Sequence, residues 1–223
     1  MLQKLFERFR RPTPRGADDV DRLRELLARP VTDNDLDRLF PVLLPRDCLD
    51  GWPGPTRPIG ALPFAVSWAL FHEPHHFIYV NDEVAARWSD RGIDWRARAM
   101  MNLARRTATR PWWGEIVDDT ERPFLLALLH DDAMGPSRLF LPHHFDDVLG
   151  AEYRVAVPER TCAIAYRAEL EPDQQRKVDA VIENCFRHGS EPVSPERFEP
   201  REFWILDRPE GSAQNSGDRG AEG

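Results

Sequence analysis

Residues 125–166 read LLALLHDDAMGPSRLFLPHHFDDVLGAEYRVAVPERTCAIAY, from Leu125 to Tyr166. An apolar run, Leu125 to Leu129, meets His130-Asp131-Asp132 and a Gly135-Pro136 turn. A second apolar run follows, and then Val155-Ala156-Val157-Pro158-Glu159-Arg160. Short apolar runs bounded by turn residues read as buried strands, with the charged groups held at the strand tips where water or a partner reaches them. The spacing predicts a strand over 124–130 that turns through 131–136 and returns as a strand over 138–141. Pro142 suits the first position of a helix that ends before Gly150. Strands over 154–157 and 162–167 then form a pair joined at Pro158-Glu159-Arg160, with Cys162, Ile164 and Tyr166 alternating onto one face.

Upstream, 64–71 and 77–80 are aromatic and β-branched runs separated by His72-Glu73-Pro74-His75-His76, which predicts two antiparallel strands. Asn81 is placed to cap a helix that buries Val84, Ala85 and Trp88 and ends at Gly92. A second helix starts near Asp94, and its apolar face holds Trp95, Ala99, Leu103 and the amide of Asn102, which needs hydrogen-bond partners there. A loop carries Trp112 and Trp113. Two helices are expected ahead of this, one over 20–27 and one capped by Asp33 using Leu36, Leu39 and Phe40, followed by irregular chain over 41–63 containing Cys48 and Trp52. Downstream, Pro172 opens a long helix that buries Val178, Val181, Ile182, Cys185 and Phe186 and closes at Gly189. A short strand is expected over 203–206, and a disordered tail over 209–223. The expected architecture is α+β: a single domain over 17–208 with a mainly antiparallel sheet, packed helices and a helical N-terminal preface, ahead of which 1–16 form an amphipathic helix and linker.

The chain has 223 residues, enough for one ordinary core, and a net charge of −8, which argues against nucleic acid as a partner. Lysine occurs only at Lys4 and Lys177, so almost all positive charge is arginine. Leu2, Leu5, Phe6 and Phe9 lie on one face of a basic N-terminal helix, which suits docking against protein or, as the lesser reading, contact with a membrane surface; the rest of the chain is not expected to touch a membrane. Cys48, Cys162 and Cys185 are odd in number and lack metal-ligand spacing, the chain shows no signal peptide, and a reducing cytoplasm is expected.

The succession of Tyr79-Val80, Asn102-Leu103, the Asp131-Asp132 turn, Ser137-x-Leu139-x-Leu141 and Val155-Ala156-Val157-Pro158-x-Arg160 resembles the YtpQ-like family of uncharacterised bacterial proteins, the domain of unknown function 1444. The likeness spans roughly 64–206. It implies an architecture but no activity, substrate or cofactor. The chain departs from the family pattern in having Asp131-Asp132 where the family has Asp-Gly, Ser137-Arg138 where it has paired serines, and Thr161 where it favours an acidic residue.

No motif fixes a reaction. His72, His75 and His76 share one turn, and His143 and His144 stand beside Asp146 and Asp147. Pro74 breaks the helical spacing that a zinc-protease motif requires, so surface histidines without metal are the expectation. Asp131 and Asp132 read first as turn chemistry, with a general base or cation site as the alternative. Ser137 lacks the setting of a nucleophile elbow. Arg160 is expected to clamp the Asp131-Asp132 turn, or else to line a small anion-binding cleft. Trp112-Trp113 reads as an exposed anchor for a partner. The candidate binding residues are therefore Asp131, Asp132, Ser137, Arg160, Asn102, Trp112 and Trp113, with no cofactor. The leading expectation is a non-catalytic protein that binds a protein or small molecule. A metal-assisted hydrolase built from the histidine and aspartate clusters is the alternative.

Overall fold

A computed structural model describes residues 30–72, 76–130, 132 and 134–205. The helices expected over 1–16 and 20–27, together with Asp131, His75 and the 209–223 tail, lie outside the described residues. The fold is α+β, with two antiparallel sheets. The first holds β1 (Leu39–Pro45), β2 (Thr56–Pro58), β3 (Phe64–His72) and β4 (His76–Tyr79). There β3 is central, with β1 on one side and both β2 and β4 on the other. The second sheet has the order β5 (Gly114–Val117), β6 (Pro123–Leu128), β8 (Cys162–Arg167), β7 (Tyr153–Glu159), β9 (Arg197–Phe198).

Both sheets contribute to one core. Alternate residues of β3 (Phe64, Val66, Trp68, Leu70) join Leu126, Leu128, Val155, Val157, Ala163 and Ala165 of the second sheet, and helices α1 (Asp82–Asp90) and α2 (Trp95–Thr109) add Trp88, Trp95 and Leu103. The opposite parity of the second sheet (Leu125, Ala127, Ile164, Tyr166) packs under Val178, Val181, Ile182 and Cys185 of α4 (Pro172–His188), the period-2 face of a sheet meeting the apolar stripe of a helix. The short α3 spans Asp146–Leu149. The helix starts follow the sequence. Asn81 Oδ1 accepts from Val84 N at 2.9 Å and Asp94 Oδ1 from Ala97 N at 3.0 Å. No helix among the described residues is long and apolar enough to cross a membrane.

Some sequence expectations are corrected. The expected helix through Leu39 and Phe40 is a 3-10 turn over Asp33–Arg38 that gives way to β1, because Pro41 disfavours helical backbone before it and the whole run pairs with β3. This strand occupies chain expected to be irregular. It tolerates two prolines because Leu43 N points away from β3, to Ser137 Oγ, and Pro41 and Pro45 share that parity, so the missing N–H groups remove no ladder bond. The strand expected over 138–141 is a buried 3-10 turn over Pro136–Phe140, since β6 is already paired on both sides, by β5 and β8. The helix expected from Pro142 begins only at Asp146, after His143 takes a left-handed φ of +57°. The strand expected over 203–206 is likewise replaced, by a 3-10 turn over Pro200–Phe203 that buries Phe203. Strand β5 lies in chain for which the sequence reading assigns no strand, directly after the Trp112-Trp113 loop.

Candidate functional site

The Asp132 turn is built around buried charge. Arg138 on the 3-10 turn is 1% exposed and grips Asp132 with both ends of its fork, Nη2 to Oδ2 at 2.9 Å and Nη1 to Oδ1 at 3.2 Å. Arg106, reaching from α2 across the Phe71 ring, donates Nε to Oδ2 at 2.9 Å, and Met134 N donates to Oδ1 at 3.0 Å. Burial alone would raise the Asp132 pKa, but these donors hold it well below the ordinary carboxylate range. A carboxylate so held is a poor proton acceptor. Ser137, fully buried, accepts the outward N–H of Leu43 at 3.3 Å and so satisfies the edge of β1. Asn102 finds the partners its position requires, donating Nδ2 to Leu36 O at 2.8 Å and Leu39 O at 2.9 Å. These three side chains hold the start of β1, its edge and the turn after β6 in place, and each of these bonds is internal to the fold.

The histidines are dispersed. Buried His72 meets Arg38, with Nδ1 and Nη1 at 3.3 Å, and His76 is half-buried. His143 meets the Trp204 ring at a tilt of 54° and bonds Asp146 at 2.7 Å, while His144 stands edge-on to Phe145. Among the described residues no group of three or more His, Cys, Asp or Glu could hold a metal ion. His130 is buried with Nε2 on Arg110 O at 2.9 Å. Burial, and then the Arg138 charge, lower its pKa from about 6.5 to about 4. The folded state therefore favours neutral His130, so stability is fully present above pH 6.5 and is lost as pH falls toward 4, where the unfolded chain binds the proton first. The loss should be on the order of 3 kcal/mol, since each tenfold difference in proton affinity between the folded and unfolded chain is worth about 1.4 kcal/mol. Denaturant titrations across this window should show the slope, and His130→Gln should flatten most of it. His144, whose pKa burial and Arg138 also lower, adds a slope of the same sign.

Trp112 and Trp113 do not form an exposed pair. Consecutive residues entering β5 face opposite sides of the sheet, and each side has its own core: Trp112 packs on the inter-sheet cluster and Trp113 on the α4 cluster, both half-buried. Trp112 Nε1 donates to Glu115 Oε2 at 2.9 Å.

The turn after β6 passes close under Thr161, yet the Arg160 side chain bonds Glu191 and Tyr79, so the expected clamp on Asp132 is not made. At the β7–β8 turn Glu159 points inward, 1% exposed, accepting from Thr161 N and Oγ at 2.7 Å, which sends Arg160 outward. Its Nη1 meets Glu191 Oε2 at 2.6 Å and its Nη2 donates to the Tyr79 hydroxyl at 3.3 Å. Burial weakens the charged form, but Glu191 and Tyr79 more than offset this and raise the Arg160 pKa. The guanidinium lies in an open cleft of about 490 Å³ whose walls include Arg46, Cys48, Pro63, Glu191 and Val193. Cys48 is exposed, and its thiol pKa is raised by partial burial and by Asp47, with Arg160 opposing. The sequence assigns no site role to Glu191, Tyr79, Arg46 or the two arginines on Asp132, although Tyr79 and Arg138 stand among the motifs compared with the family. Glu191 and Tyr79 lie 31 and 81 residues from Arg160, and only the tertiary fold joins them.

No protein-family model, curated protein or solved structure matches the chain.

Proposed function

We propose that the protein is a non-catalytic binding module and that the cleft around Arg160 is where it captures its partner. The observation that carries this is a contrast. Asp132, Ser137 and Asn102 all bond to buried parts of the fold, whereas Arg160 presents a positioned guanidinium at the wall of a cleft of about 490 Å³, with its side chain 36% exposed. Concave sites that combine placed polar groups with apolar surface are the usual form of small-molecule sites; here Pro45, Pro63, Pro192 and Val193 supply the apolar part, and Arg46, Asp47, Arg160 and Glu191 the charged part. A reducing, cytoplasmic setting belongs to the same proposal and is supported by three unpaired thiols. So does membership of the YtpQ-like family, which rests on the short motifs quoted above.

Arg160→Ala separates a binding role from a structural one. Its ion pair is exposed on both sides, so the variant should lose no more than about 1 kcal/mol of stability. In a fragment screen read by amide chemical shifts, compounds that move the signals of Cys48, Arg160 and Val193 in the wild type should lose their effect in Arg160→Ala. Hits confined to other surfaces, or hits indifferent to Arg160, would refute the assignment.

A further inference from the structure

We propose that the Arg160 cleft takes a small organic carboxylate and that Glu191 occupies the place of the ligand's carboxylate until it arrives; this rests on the binding reading above. The geometry has three parts. First, Arg160 is fixed independently of the Glu191 side chain: its Nη2 is on Tyr79, and its backbone N donates to Glu191 O at 3.0 Å. Second, the backbone of the 191–194 segment is tied to β7, with Val193 N donating to Pro158 O at 3.0 Å, Ser194 N to Val157 O at 3.2 Å, and Pro192 bridging Glu159. The Glu191 side chain can therefore leave while the wall stays in place. Third, that side chain is 55% exposed, so its release into water costs little.

The carboxylate chemistry follows from the occupant. Arg160 Nη1 already holds a carboxylate oxygen at 2.6 Å, and the planar guanidinium fork fits that group better than it fits a single oxygen. Arg46, exposed on the same wall, offers a second cation, and the prolines offer an apolar surface for a short carbon chain. The Cys48 thiol, protonated at neutral pH, adds no negative charge, and Asp47, the one other carboxylate of the lining, is outweighed by Arg46 and Arg160 once the Glu191 side chain withdraws. The exchange is of one carboxylate for another on the same guanidinium, so it requires no proton and no co-reactant.

The test uses the full chain labelled with nitrogen-15 and succinate as probe, with succinamide and inorganic phosphate as the comparison arms. Succinate should shift the amides of Cys48 and Val193 and the Nε–H of Arg160, and Glu191→Gln should bind it up to about fivefold tighter, the gain expected from releasing an exposed ion pair. Glu191→Gln should melt within a few degrees of wild type. Unchanged or weaker succinate binding by Glu191→Gln would overturn the stand-in role. Equal shifts with succinamide would overturn the carboxylate assignment while leaving the cleft as a binding site, and equal shifts with phosphate would show an unselective anion site. Absence of any shift in the cleft with succinate, in both proteins, would overturn the carboxylate proposal, and the fragment screen would then decide the binding reading separately.

Discussion

Asp132→Ala is expected to cost roughly 3 to 5 kcal/mol of folding stability, the range for breaking a buried pair by removing one partner. The loss comes less from the attraction itself than from what remains. Arg138 is 1% exposed and would keep its charge with no carboxylate to face, and Met134 N would lose its acceptor. Arg106 is spared part of the penalty because about a third of its side chain reaches water. Removing the buried cation as well, in Asp132→Ala with Arg138→Met, should restore a substantial part of the loss, since an apolar side chain of similar length fills the site without an unpaired charge. Equilibrium denaturation of the two variants measures this. Acid should act on the same pair: the stability it contributes is present above the ordinary aspartate range and is lost as pH falls below about 4.

Gly135→Ala should be nearly as damaging, at roughly 3 to 5 kcal/mol, the range reserved for severe steric or buried-polar defects. A Cβ at this position would stand 1.9 Å from Leu128 O and 2.9 Å from Thr161 O, both backbone atoms that cannot rotate aside. The close approach lets the turn after β6 pass under the β7–β8 turn, so that Asp132, Ser137 and Arg138 reach their partners. Gly51→Ala makes the control. Its φ of +73° strains any other residue, but nothing lies within 4 Å, so the cost should be only about 1 kcal/mol. A thermal melt of Gly135→Ala indistinguishable from that of Gly51→Ala would mean that the turn shifts to make room and that the close approach is not required.

The elements legible in the sequence were those whose local signals and tertiary demands agree. The β3–β4 and β7–β8 pairs, α1, α2 and α4 all carry period-matched apolar residues with caps or turn residues at their ends. Where expectation and structure part, local preference met a long-range constraint. Leu36, Leu39 and Phe40 have helical spacing, but β3 supplies a strand partner that outweighs it. A signal for that outcome was present in Pro41 and Pro45, spaced so that both missing donors fall on the unpaired side of an edge strand. Ser137 to Leu141 resembles a strand in composition, yet both edges of β6 are occupied, and nothing in the local sequence states that.

The site divides in the same way. Asn102 was recognisable because an amide among apolar helix positions must find partners, and Asp132 and Arg160 because they sit at strand tips. What could not be read was the pairing. Asp132 takes Arg106 and Arg138, and Arg160 takes Glu191 and Tyr79, because Glu159 turns inward and Arg160 outward at the β7–β8 turn. Charge complementarity alone allowed Arg160 to choose Asp132. The β7–β8 turn, with Glu159 held inward by Thr161, places Arg160 on Glu191 and Tyr79 instead.

A double-mutant cycle between Arg160→Ala and Asp132→Ala, followed by chemical denaturation, tests most directly whether Asp132 serves the fold and Arg160 is left for a ligand. The expected result is a large loss for Asp132→Ala, a small one for Arg160→Ala, and a coupling term below about 0.5 kcal/mol, as for sites that share no partner. A loss in Arg160→Ala comparable to that in Asp132→Ala, with coupling well above that value, would make Arg160 part of the structural clamp and contradict this division of roles.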